Sequence, residues 1–212
     1  QDAGDGAAQP GGGCPPLIRP DPAHPPPGGG AGGGGMHLER TRFRRGASIL
    51  PSLFTTGNLF LGFWSIVKTL DGRFAEAAPL VGAAVILDML DGRIARLTNT
   101  QSEFGAQYDS LADAVSFGVA PALLAYCWAL QVVPRAGWPA AFLFLACGVL
   151  RLARFNVQRH VVDARYFVGL PIPAGAAQIA AIVFVFPEPP SSRLAAIGML
   201  ALVVALAFLM VS

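Results

Sequence analysis

From Leu53 onward the chain alternates long apolar runs with short polar breaks. Runs of this length and hydrophobicity predict helices that cross a bilayer. The breaks divide the chain into six expected helices: Leu53 to Leu70, about Phe74 to Leu97, about Gly105 to Leu130, Trp138 to about Leu152, Ile172 to Phe186, and Leu194 onward. Some of these runs fall short of the ~20 residues of a full span, so polar flanks or neighbouring helices must complete them. The expected fold class is all-α, a multi-pass transmembrane bundle of about six helices.

Residues 1–35 break this pattern. They are rich in Gly, Pro and Ala and contain no hydrophobic stretch of the signal-peptide kind, so they read as a disordered tail that cannot bury a core. Met36 opens a sensible amino terminus, and the stretch before it is expected to be a tail or an over-extended start. Residues 36–50 form a basic juxtamembrane segment in which Arg40, Arg42, Arg44 and Arg45 precede the first apolar run. They either anchor the chain to anionic head groups or act purely as a topology signal. The transmembrane domain is expected over 51–212. Its last apolar run reaches Ser212 without a polar flank, so the native chain is expected to continue.

Orientation follows from Lys and Arg in alternate loops. With the amino terminus inside, the inner side collects the four juxtamembrane Arg together with Arg93, Arg96, Arg151, Arg154, Arg159 and Arg165, and the outer loops hold Lys68, Arg73, Arg135 and Arg193. This bias predicts a cytoplasmic amino terminus; a bacterial inner membrane is the expected location.

Composition sharpens the picture. The chain is 53% hydrophobic and 13% charged, with a mean hydropathy of +0.52, outside the ordinary soluble range. The net charge of +2 and the lack of a basic patch interleaved with aromatics argue against nucleic acid as a partner. Cys14, Cys127 and Cys147 have no metal-ligand spacing, and the latter two lie in apolar runs as small hydrophobes. His24 and His37 are isolated, and His160 lies in a polar break.

Against this background one stretch carries charge where charge is expensive. Asp88 to Asp113 reads DMLDGRIARLTNTQSEFGAQYDSLAD, with Asp pairs near the end of the second run and the start of the third. An acid at membrane depth costs roughly 3 kcal/mol or more unless it faces a cavity, a partner or a metal. On helices, Asp88 and Asp91 share one face, and Gly105, Asp109 and Asp113 form a four-residue stripe on the other. Four like charges that meet would repel or take up protons unless a cation lies between them. Oxygen-only ligands favour a hard ion, Mg2+ or Mn2+. The plainer alternative is that the Asp residues cap helices or pair with Arg93 and Arg96. Gly92 and Ala95 lack bulk, which either lets a nucleotide approach the backbone or serves helix packing. Arg96 is placed to offer paired donors to a phosphate.

The order D-x-x-D-G-x-x-A-R, eight residues, then G-x-x-x-D-x-x-x-D stands complete as Asp88, Asp91, Gly92, Ala95, Arg96, Gly105, Asp109 and Asp113. It resembles the signature of the CDP-alcohol phosphotransferase family. That resemblance implies two divalent ions, one held by Asp88, Asp91 and Asp109 and the other by Asp88, Asp109 and Asp113, with Asp113 also the catalytic base. It implies CDP binding by Thr55, Gly92, Ala95, Arg96 and Gly105. Pro51, Ser52 and Thr55 resemble a Pro-Asn-x-x-Thr element of relatives, with Ser in place of Asn. Thr56 and Asn58 are further polar residues placed to reach a nucleotide.

The flanking stretches LPSLFTTGNLFLGF, RLARFN and GLPIPAGA resemble the CDP-diacylglycerol–serine O-phosphatidyltransferases within that family. This implies CDP-diacylglycerol and L-serine as substrates, the lipid bilayer as surroundings, no nucleic acid partner and a homodimer. Arg151 and Arg154, three apart on one helical face at the expected end of the fourth helix, and Asn156 after them are candidates for the acceptor carboxylate or the lipid phosphate, or are further positive-inside residues. Two rivals stay open. One is the same chemistry on glycerol phosphate, inositol or an archaeal ether lipid; the other is a small divalent-cation transporter.

Overall fold

The computed structural model describes residues 49–98, 103–158 and 169–212. The basic cluster at Arg40 to Arg45, the tail with Cys14, His24 and His37, and Arg159, His160 and Arg165 lie outside the described residues. So do the side chains of Pro51, Ser52, Ala95 and Arg96.

Among the described residues six helices follow one another: α1 (Ile49–Leu70), α2 (Phe74–Thr98), α3 (Glu103–Trp128), α4 (Pro134–Gln158), α5 (Ile172–Val185) and α6 (Arg193–Val211). No strand occurs among the described residues. Helices α3, α4 and α6 are each long and apolar enough to cross a membrane, and α5 is a shorter apolar helix. Large apolar side chains such as Phe60, Phe63, Ile86, Phe142, Leu150, Phe184 and Phe208 are exposed around the bundle, as expected of a surface that lipid covers.

Local chemistry explains the helix ends. Gly72, at φ +72°, takes the left-handed conformation that closes α1, and the Arg73 N–H returns to the Lys68 carbonyl at 2.9 Å. Ser192 caps α6 by accepting from the Ala195 N–H at 3.2 Å. Helix α4 is longer than the apolar run predicted, beginning at Pro134 instead of Trp138 and reaching Gln158 instead of about Leu152. Pro134 stands at the first helical position, where its missing N–H costs nothing. Arg, Leu and Ala in RLARFN are good helix formers. Arg154 and Asn156 therefore stand, with Arg151, on a helix and not in a loop.

Helix α3 is the centre of the bundle, touching α1, α2, α4 and α5. It is α-helical over Glu103–Asp113, widens to a π-helix over Ala114–Val119 and returns to α over Ala120–Trp128. The Ala120 N–H bonds to the Val115 carbonyl, one residue further back than an α-helix would use. Small residues line the contacts: Ala77, Ala78, Ala84, Ala120, Ala125 and Ala176 are buried. In lipid, where apolar burial drives little, this close packing and interhelical hydrogen bonds hold helices together. Helix α1 crosses α3 closely, where a Cβ on Gly62 would lie 2.6 Å from the Ser116 Cα.

Candidate active site

The last turns of α2 and the first turns of α3 bring the two acidic pairs together. One carboxylate oxygen from each of Asp88, Asp91 and Asp109 lies within 4.8 Å of the others. Asp91 is 5% exposed, and Asp88 and Asp109 are half-buried. Asp113, one turn past Asp109, meets Asp88 side chain to side chain. The fourth acid therefore joins the cluster through Asp88.

Helix α1 forms a third wall. The Thr55 hydroxyl, buried at 5% exposure, lies 3.5 Å from Asp91 Oδ2. Asn58 Nδ2 donates to Asp113 Oδ1 at 3.2 Å, and the Asn58 carbonyl accepts from the Ser116 hydroxyl at 3.0 Å. Thr56 and Tyr108 hydroxyls are paired at 3.1 Å, and the Tyr108 ring stacks in parallel on Phe104 with centroids 6.2 Å apart. Asn58 is fully buried against Asp113.

Helix α4 closes the fourth side. Asn156 Nδ2 donates to Ser110 Oγ at 2.9 Å, next in sequence to Asp109. Arg151 donates to the Gly169 carbonyl at 3.3 Å, tying α4 to the entry of α5, where the Leu170 N–H also bonds the Leu209 carbonyl of α6. Arg154 is exposed. Gly92 and Gly105 are half-buried on the two acid-bearing helices, and α2 continues through Ala95 and Arg96.

Ser110, Ser116 and Tyr108 escaped the sequence reading. Ser110 and Tyr108 flank Asp109, and polar side chains beside a membrane-depth acid are the signal that was present. Ser116 gave none, because its partner is a backbone carbonyl 58 positions away.

The donor set fits a divalent cation. Three carboxylate oxygens within 4.8 Å of one another, with no His or Cys in the cluster among the described residues, suit a hard ion, and the mutual repulsion of the acids supplies the reason to bind one.

Comparison with known proteins gives the same family as the motif. A family model described as CDP-alcohol phosphatidyltransferase matches residues 48–211. The CDP-diacylglycerol–serine O-phosphatidyltransferase of Helicobacter pylori strain 26695 is 48% identical over 128 residues, 60% of this chain and 54% of the relative. The enzyme of that name from Mycobacterium leprae is 44% identical over 147 residues, 66% of this chain and 49% of the relative. The one from Bacillus subtilis is 38% identical over 124 residues, 58% and 69%. The chain thus spans about half the length of the first two relatives. With the family model covering residues 48–211 and the Asp side chains of its signature gathered in space, the chain belongs to the CDP-alcohol phosphatidyltransferase family.

Proposed function

We propose that the protein transfers the phosphatidyl group of CDP-diacylglycerol to the hydroxyl of L-serine, giving phosphatidylserine and CMP. The observation that carries this is the convergence of Asp88, Asp91, Asp109 and Asp113 at one end of an apolar bundle. Serine as acceptor draws its support from relatives named for that reaction at 38–48% identity.

Asp88, Asp91 and Asp109 would hold one divalent ion, Mg2+ or Mn2+, and Asp88, Asp109 and Asp113 a second. Such ions supply neutralisation of the CDP diphosphate and of the charge that gathers on departing CMP. The backbone at Gly92 and Gly105, with Ala95, leaves room for the nucleotide, and Thr55 and Arg96 bind it. Asp113 takes the proton of the serine hydroxyl. The serine oxygen forms its bond to the lipid-side phosphorus as the bond from that phosphorus to the oxygen shared with the other phosphate breaks, and CMP departs with that oxygen. Arg151, Arg154 and Asn156 border the acceptor side, where the serine carboxylate or the lipid phosphate needs donors.

The active end faces the cytoplasm, where serine and CMP exchange with water, and the enzyme works as a homodimer. The test is CMP release from CDP-diacylglycerol by the purified protein with Mn2+ or Mg2+, comparing serine, glycerol phosphate and inositol. Release driven by serine above the other alcohols is expected; release driven by another alcohol overturns the assignment.

A further inference from the structure

Asn58 on α1 lies fully inside the protein and touches the acid assigned as base. Its side-chain Nδ2 donates to Asp113 Oδ1 at 3.2 Å, and its Oδ1 is buried with no hydrogen-bond partner among the described residues. A buried amide with one end unsatisfied is a costly way to fill space between two helices. An aliphatic side chain of the same volume would pack there without an orphaned carbonyl. The amide therefore earns its place through the bond it makes to Asp113.

The surroundings fix that bond. The Asn58 backbone carbonyl accepts from Ser116 Oγ at 3.0 Å, three residues after Asp113 on the same helix. One turn further along α1, Gly62 lets the two backbones approach closely beside Ser116. Asp113 therefore accepts from a neutral donor on α1 on one side and faces the Asp88 carboxyl of α2 on the other. A carboxylate turns freely about its last bond unless both faces are engaged. A neutral amide restrains that rotation without cancelling the charge, as an arginine would.

We propose that Asn58 is a positioning residue for transfer: by occupying Asp113 Oδ1 it sets the rotation of the carboxylate, so that the remaining oxygen is presented on the Asp88 side, where the acceptor hydroxyl must lose its proton. This rests on Asp113 acting as the base.

The test compares native protein, Asn58→Leu, Asp113→Asn and the double variant in CMP release at varied CDP-diacylglycerol and Mn2+. Asn58→Leu is expected to lower kcat tenfold or more, while KM for CDP-diacylglycerol and the Mn2+ needed for half-activation stay within threefold. In the Asp113→Asn background the same change is expected to cost less than threefold further, because it acts only through Asp113. A kcat loss below tenfold overturns the proposal. So does a parallel loss of lipid or Mn2+ binding, or a full further loss in the double variant, each of which would mark Asn58 as merely structural. Asn58→Ser, smaller and too short to reach Asp113, is read by the same criteria if Asn58→Leu does not fold, and failure of both to fold also overturns it. A native enzyme that releases CMP only with another alcohol removes serine from the reading above, and the Asn58 comparison then runs with that alcohol.

Discussion

Asn156 on α4 and Ser110 on α3 engage each other across 46 positions of sequence: the amide donates to Ser110 Oγ at 2.9 Å, and that oxygen lies 3.3 Å from Asn156 Oδ1. Ser110 Oγ also lies 3.0 Å from the Ala106 carbonyl one turn back, and its single proton serves one of these acceptors at a time. The pair clamps α4 to α3 beside Asp109. It gives Asn156 a structural partner, so any influence on the acceptor passes through the position of α3 as well as through direct contact.

This pairing predicts non-additivity. Asn156→Ala and Ser110→Ala should each destabilise the protein by about 1 kcal/mol, the net worth of a neutral hydrogen bond. The double variant should lose clearly less than their sum, as neighbours that share one interaction do. Unfolding in detergent, followed for all four proteins, measures the coupling; strict additivity would count against the clamp.

The acid cluster predicts dependence on a divalent ion. Chelation with EDTA should abolish CMP release, and added Mn2+ or Mg2+ should restore it. Asp91→Asn removes a charge from the set whose oxygens lie within 4.8 Å and should raise the Mn2+ needed for half-activation tenfold or more. Turnover that persists in chelator would exclude the ion from the reaction.

Asp113 is expected to separate binding from turnover. Asp113→Asn keeps the shape of the side chain while removing its ability to take a proton, and should lower kcat by roughly 10²–10⁴, the usual range for loss of a general base. Binding of CDP-diacylglycerol in the presence of Mn2+ should fall far less. Equal losses in both would reassign Asp113 to metal binding alone.

The α1 and α3 crossing predicts a steric limit. Gly62→Val places atoms where a Cβ would already stand 2.6 Å from the Ser116 Cα, and should destabilise by about 1–3 kcal/mol through overpacking. Gly82→Ala meets nothing within 4 Å and lies inside α2, so it should be neutral or stabilise by ~0.5–1 kcal/mol. Thermal melts of the two variants should shift in different directions or, for Gly82→Ala, not at all.

The amino-acid sequence by itself determined the fold class and the family. Apolar run length predicted six helices because in lipid the backbone must satisfy itself within each segment, and six are present among the described residues. Fixed spacing at Asp88, Asp91, Asp109 and Asp113 carried the family, since residues three and four apart share a helix face before any tertiary contact forms. Where hydropathy and helix propensity disagree, the run length failed: α4 continues through polar RLARFN to Gln158, because a polar helical turn at a membrane face costs nothing in water. Only the tertiary structure decided which polar side chains meet the acids. Asn58 against Asp113, Thr55 against Asp91 and Asn156 against Ser110 join residues 36 to 55 positions apart, and no local periodicity encodes the crossing of two helices. That crossing is set by small residues such as Gly62 and by the π-turn after Asp113, whose extra residue shifts the phase of α3 beyond what a 3.6-residue repeat would give.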